Sequence, residues 1–259
     1  MDGRRAPVSR ALLFASCLAV AACGSSPSGG NGGETAGNAA PAANITAAPA
    51  PVAANESATP ATGTAPAQSA ATPVSCAAEI GAAAAASKVK ACLAVSPATH
   101  PPCNAANSCA MIDDEIARSC ALFDGKGAPM PECTVAPKSA AAAVAVVQRY
   151  YAALNARDYG TAWQQWGDDG PPNQPLAKFQ AGFAHTSATR VTIGTLPPGE
   201  GAAGSIYQTV PVTIDATLDD GTHQRFVGTY AIRRVNDVDG ASADQLRWHI
   251  GSAHLAAAR

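Results

Sequence analysis

Six cysteines, Cys76, Cys92, Cys103, Cys109, Cys120 and Cys133, carry the most specific chemistry in this chain. Thiols in that number either oxidise in pairs or hold a soft metal ion. No two are spaced as C-x-x-C, and His100 is the only histidine among them, so the donor set is wrong for zinc. An even count in a stretch poor in aromatic residues reads instead as three disulfides. So small a unit cannot hold itself together by burial alone, and each bridge contributes about 2–4 kcal/mol. The pairing stays open among the fifteen that six cysteines allow. Cys109 and Cys120 fall about three turns apart on one predicted helix and cannot bridge each other. The run Asp113-Asp114-Glu115 has the charge to attract a cation, but at the start of that helix it reads as a solvated face. His185, His223, His249 and His254 are scattered over a helix end, a hairpin and the last strand, and His249 is expected to be exposed, on the face opposite Trp248. There is no H-x-x-x-H pair, G-x-S-x-G, phosphate loop or dinucleotide fingerprint. The glycine-rich residues 198–204 join two predicted strands and read as a loop. These residues predict no cofactor, no metal and no catalytic set.

Two helices are predicted to carry the cysteines. One covers residues 77–95, where Lys88 and Lys90 keep one face wet. The other covers residues 105–122, capped by Asn107 or Ser108. The chain then changes character. Of its thirteen aromatic residues, eleven lie after residue 139, so the sizeable core belongs to the last third. Residues 141–155 predict a long helix with Val144, Val147, Tyr151 and Leu154 on one face. Asp158 caps a short second helix bearing Trp163 and Trp166. Residues 167–175 break the pattern. Leu176, Phe179 and Phe183 place a third helix over residues 175–187. Four strands follow, at residues 190–196, 205–218, 222–235 and 245–255. Ile206, Val210, Val212, Ile214 and Leu218 share one face of the second, and Asp219-Asp220-Gly221 marks a hairpin. Pro211 inside that strand implies an edge or a bulge. Helices followed by antiparallel strands make an α+β order.

The front of the chain reads as delivery. Arg4, Arg5 and Arg10 precede an apolar run at residues 11–22, which is too short to be a permanent span. It ends in Val20-Ala21-Ala22-Cys23, which resembles a lipobox. The resemblance implies that Cys23 is lipidated at a bacterial membrane after residues 1–23 have served as the leader. Several acyl chains anchor stably where one is marginal. Gly24, where an Asp would mark retention at the inner membrane, implies the outer membrane, facing the periplasm. Residues 24–75 hold no aromatic residue, Lys or Arg, and predict a disordered tether that spans on the order of 40 Å. Residues 76–136 form the six-cysteine module. A net charge of −2, with 17 basic and 19 acidic residues and no basic block in the mature part, excludes nucleic acid as a partner.

Residues 139–256, with VVQRYYAALNARDYGTAWQQW in the helices and FVGTYAIRRV and RWHIGSAHL in the strands, resemble the nuclear-transport-factor-two-like, or SnoaL-like, family. The resemblance implies a cone, with three helices held against a curved antiparallel sheet and one end open. Its candidate pocket-lining residues are Tyr150, Trp163, Trp166, Phe179, Phe183, Tyr230 and Trp248, although their spacing equally suits a core. Tyr150 matches the oxyanion tyrosine of the family's ketosteroid isomerases. Asp168 and Asp169 stand near the general-base position but in a Gly/Pro loop, and the late strand where a second acid belongs has none. The expected function is therefore a non-catalytic envelope lipoprotein that binds a small apolar ligand or a protein. The rival readings are a small isomerase or dehydratase using Tyr150 with Asp168 or Asp169, and an assembly part that dimerises through the sheet.

Overall fold

The computed structural model describes residues 72–98, 102–124 and 127–258, all within one compact unit, Asn44–Arg259. The leader, Cys23, His100 and the tether up to residue 71 lie outside the described residues. Among the described residues, no helix is long and apolar enough to cross a membrane.

The architecture is α+β, with six helices and a five-stranded antiparallel sheet among the described residues. Where one helix is expected over residues 77–95 there are two, α1 (Cys76–Ile80) and α2 (Ala82–Val95). Gly81 between them has φ +85°, a left-handed conformation that ends one helix and lets the next start at a new angle. Helix α3 (Cys109–Leu122) begins later than expected, after a turn at residues 105–107, and Ser108 is its cap, its hydroxyl accepting from the Met111 N–H at 3.0 Å. The disulfides pair Cys76 with Cys109, Cys92 with Cys103, and Cys120 with Cys133. They surround a small core of Ala85, Ile112 and three of the cysteines themselves, packed with a few half-buried side chains, Cys103 among them. Burial there is slight, which is why covalent links are needed.

Helices α4 (Ala140–Asn155), α5 (Tyr159–Gln164) and α6 (Leu176–Gly182) follow. The third predicted helix is cut short because its last residues enter the sheet. The strands are β1 (Thr186–Ile193), β2 (Glu200–Ala202), β3 (Ser205–Leu218), β4 (His223–Val235) and β5 (His249–Ala257). Their order is β1-β3-β4-β5, and β2, which the sequence reading took for loop, pairs with β3 beyond the end of β1. Pro211 sits between those two partners. The Gly194 N–H donates to its carbonyl at 2.8 Å, and no N–H exists to return the bond, so the β1 ladder stops at Ile193. Gly228 on β4 has no substitute: an added Cβ would lie 1.9 Å from the His254 carbonyl on β5.

One face of the sheet carries Val210, Val212, Ile214, Tyr230, Ile232, Ile250 and Ala253, and α4 packs across it, touching β1, β3, β4 and β5. The Asn155 side chain then imitates a strand. It donates to the Thr189 carbonyl at 2.8 Å and accepts from the Thr189 N–H at 2.7 Å, fastening the helix end to β1. The last residues read as tether also dock, with the Val74 N–H donating to the Ala156 carbonyl at 2.7 Å.

Candidate binding site

Asp113-Asp114-Glu115, expected as a solvated helix face, is largely buried. Only Asp113 is partly exposed, paired with Lys88, while Asp114 and Glu115 are each 5% exposed. Ile112, Glu115 and Ser119 recur at spacings of three and four, so the buried stripe was readable had charge not been equated with solvent. Glu115 accepts from the Ser96 and Ser119 hydroxyls at 2.5 and 3.2 Å, closing the end of α2 onto α3. Asp114 points toward the other half of the molecule. It accepts from Gln165 Nε2 at 3.0 Å and faces Arg149 Nε at 3.4 Å and Arg247 Nη1 at 3.3 Å. One carboxylate thus serves guanidinia from α4 and from the segment before β5.

The electrostatics follow from that count. Burial by itself would raise the Asp114 carboxyl, but Arg149 and Arg247 together hold it below its ordinary value. Arg149 is pulled down as well, first by burial and then by the neighbouring Arg247, despite Asp114. Apart from the half-exposed Asp244, 3.7 Å from Arg247, the buried part of the cluster sets two guanidinia against one carboxylate. A second link joins the same two regions. Asp158, buried and capping α5 through the Thr161 N–H at 3.1 Å, accepts from the Ser108 hydroxyl at 2.5 Å, so the caps of α3 and α5 hold each other.

The seven candidate pocket residues fall into the main core cluster or against it. Tyr150 stands edge-on to Tyr151 at 5.0 Å between ring centres and to Trp166 at 6.3 Å, with Phe179 and Tyr230 tilted beside it. The Tyr151 and Tyr230 hydroxyls bond each other at 2.7 Å. Phe179 packs at a tilt against Phe183, and Trp163 Nε1 donates to the Gln174 carbonyl. Trp248 lies under the Arg234 guanidinium, 6.0 Å from the ring centre. Burial pushes the Tyr150, Tyr151 and Tyr230 phenols well up, so each stays protonated. Asp168 and Asp169 are exposed in the turn after α5, and no carboxylate among the described residues bonds the Tyr150 hydroxyl. The residues of the isomerase reading are therefore not brought together. His249 is half-buried against Gly167 rather than exposed, and burial lowers its pKa. Among the described residues, no group of three or more His, Cys, Asp and Glu side chains is placed to hold a metal ion.

Open space lies elsewhere. A cleft of about 390 Å³ runs between α3 and α4, with the Cys120–Cys133 bridge on one wall. Ile116 and Ala117 face Ala142 and Ala145 across it, and Arg149, Arg247 and Trp248 also line it. Of the seven candidate aromatics, Trp248 alone reaches this cleft. Its volume falls within the range of roughly 300–1,000 Å³ usual for small-molecule sites. An adjoining, more polar cleft of about 610 Å³ shares Arg118 and Arg247 with it. There Lys138 pairs with Asp124 and Asp237. Arg149, Arg247 and the cleft itself were not singled out from sequence, since each needs two distant segments to meet.

No protein-family model matches the chain, and no curated protein matches it. Among solved structures, the chain is similar to that of the Kfla4162 protein from Kribbella flavida, with 18% identity, a TM-score of 0.33, and coverage of 46% of this chain and 90% of that one.

Proposed function

We propose that this protein is a non-catalytic lipoprotein of a bacterial outer membrane, anchored at Cys23 and facing the periplasm. Residues 139–256 form a SnoaL-like cone in this reading, and the binding site lies between α3 and α4 rather than inside the cone. The observation that carries the reading is the cleft: apolar walls from two helices, closed at one side by a disulfide and at another by arginines and Trp248. The aromatic side chains that would line a cone cavity are occupied with one another. An apolar molecule is the ligand this cleft suits.

The test uses the mature, disulfide-intact protein and the neutral fluorescent probe N-phenylnaphthylamine. Binding should brighten and blue-shift the probe, and Ala145→Trp, which fills the cleft from α4, should abolish the signal while leaving the circular dichroism unchanged. A probe that binds the folded variant as well as the wild type removes the reading. Mass analysis of Cys23 from the membrane fraction tests the anchor, and an unmodified thiol ends that part.

A second reading has its own support. The sheet face opposite α4 exposes Thr209 and Val227, with β-branched side chains suited to a sheet-to-sheet dimer. Sedimentation of the wild type beside Val227→Glu decides it: a monomer in both cases ends the dimer reading.

A further inference from the structure

We infer that the cleft between α3 and α4 selects a free amphiphile with an anionic head, gripped by Arg149 and Arg247 while its apolar tail lies along the helix walls. This rests on the cleft reading above and adds the ligand's charge.

The first ground is a shortage of negative charge at one end of the cleft. The Arg149 and Arg247 side chains are 13% and 15% exposed, and the one buried carboxylate they share is Asp114. The other charges on the walls are already committed or distant. Asp113 is held by Lys88, Arg118 lies 4.0 Å from Glu115, and Asp244, half exposed and outside this cleft, makes only a solvent-screened ion pair with Arg247 Nε at 3.7 Å. Glu132 is the one wall acid without a partner among the described residues.

The second ground is a surplus of donors. Arg149 uses only Nε, toward Asp114 and Gln165 Oε1 at 3.3 Å, and its two terminal nitrogens have no acceptor among the described residues. Arg247 Nε and Trp248 Nε1, on consecutive residues of the same wall, are buried and have no hydrogen-bond partner. A buried donor without an acceptor is costly, and a planar guanidinium fork matches a carboxylate with two parallel bonds. A ligand bringing one anionic group would correct the charge count and the donor count together. The apolar side chains beyond the arginines suit a short hydrocarbon tail, and a bare inorganic anion would leave them unfilled.

The experiment displaces N-phenylnaphthylamine from the mature protein at low salt with octanoate, octanol or octyltrimethylammonium. Octanoate should displace the probe at a concentration about tenfold or more below octanol, and the cationic chain should be weakest. Added salt should weaken octanoate and leave octanol unchanged. Glu132→Gln should tighten octanoate by a factor of about two to three and leave octanol alone. Arg149→Gln, in which Asp114 keeps Arg247, should erase the preference for octanoate. If that variant does not fold, the salt and Glu132→Gln results still decide the matter. Equal displacement by octanoate and octanol overturns this inference and leaves the cleft reading standing. A probe that never binds sinks both. Phosphatidylglycerol vesicles run alongside: protein that sediments with them and ignores octanoate is reading a lipid surface, and the inference fails.

Discussion

Replacing Asp114 by Asn gives the sharpest test of the buried cluster. Asn keeps the shape and one acceptor oxygen but removes the only carboxylate among the described residues within hydrogen-bond or ion-pair reach of Arg149, and also the one that bonds Arg247. Breaking a buried ion pair by neutralising one partner costs about 3–5 kcal/mol, because the charge left behind has no counter-charge and little water. Here Arg149 is stranded and Arg247 is left with the half-exposed Asp244 at 3.7 Å, against a total stability of roughly 5–15 kcal/mol for a domain. The assay is urea unfolding at neutral pH with the disulfides intact. Asp113→Asn is the control: one residue away, with a side chain 40% exposed and paired to Lys88, it should cost no more than about 1 kcal/mol. The pH dependence has a definite sign. The folded Asp114 carboxyl lies below its unfolded value, so its stabilisation is complete above the ordinary carboxylate range and is lost as pH falls through the lower folded value. The wild-type minus Asp114→Asn difference should shrink across that acid window. Glu79 is raised by burial and acts in the opposite direction, but it is present in both proteins and cancels in the difference. If Asp114→Asn costs under about 1 kcal/mol, or Asp113→Asn costs as much, the reasoning about an undersupplied buried charge cluster is wrong.

Three further outcomes are expected. Cys76–Cys109 closes a separation of 33 residues, against 11 and 13 for the other two bridges, so a chain-entropy argument ranks it first, at about 4 kcal/mol against about 3 each. Paired Cys→Ala variants compared by thermal unfolding should show that order. Tyr151→Phe leaves the buried Tyr230 hydroxyl without its partner and should cost about 1–3 kcal/mol, and adding Tyr230→Phe should recover part of the loss. His249 should titrate by NMR below the ordinary histidine value, because burial disfavours its charged form. Because its folded pKa is depressed, the stability it contributes is full above the ordinary histidine range and falls as the pH drops toward the folded value.

Much of the sheet and of α4 was legible in advance, and the misses have physical reasons. Alternation along β3 placed Val210, Val212 and Ile214 inward, because a pleated strand with one covered face can bury only every second residue. The α4 stripe was read too narrowly. Ala143, Val146, Tyr150 and Ala153 are buried as well as Val147, Tyr151 and Leu154, because the helix has the sheet on one side and α3 on another. A helix with two neighbours buries more than one stripe, and only the assembled molecule shows how many neighbours it has. The break at Gly81 and the short β2 went unread since each depends on backbone geometry that many sequences share.

What the sequence determined was local: the oxidised state of the cysteines, the helix cap at Asp158 and, between Asn107 and Ser108, that of α3, and the inward set of the long strand. These follow from single side chains or from a fixed repeat along the chain, and neither needs knowledge of distant segments. The tertiary structure decided which cysteines pair, that Asp114 and Glu115 are buried, and that Arg149 and Arg247 converge on one carboxylate beside an apolar cleft. Those facts depend on separate segments coming together, the cysteine pairs across 11 to 33 residues and Asp114 with Arg247 across 133. A charge is read as solvated until the fold brings it a partner.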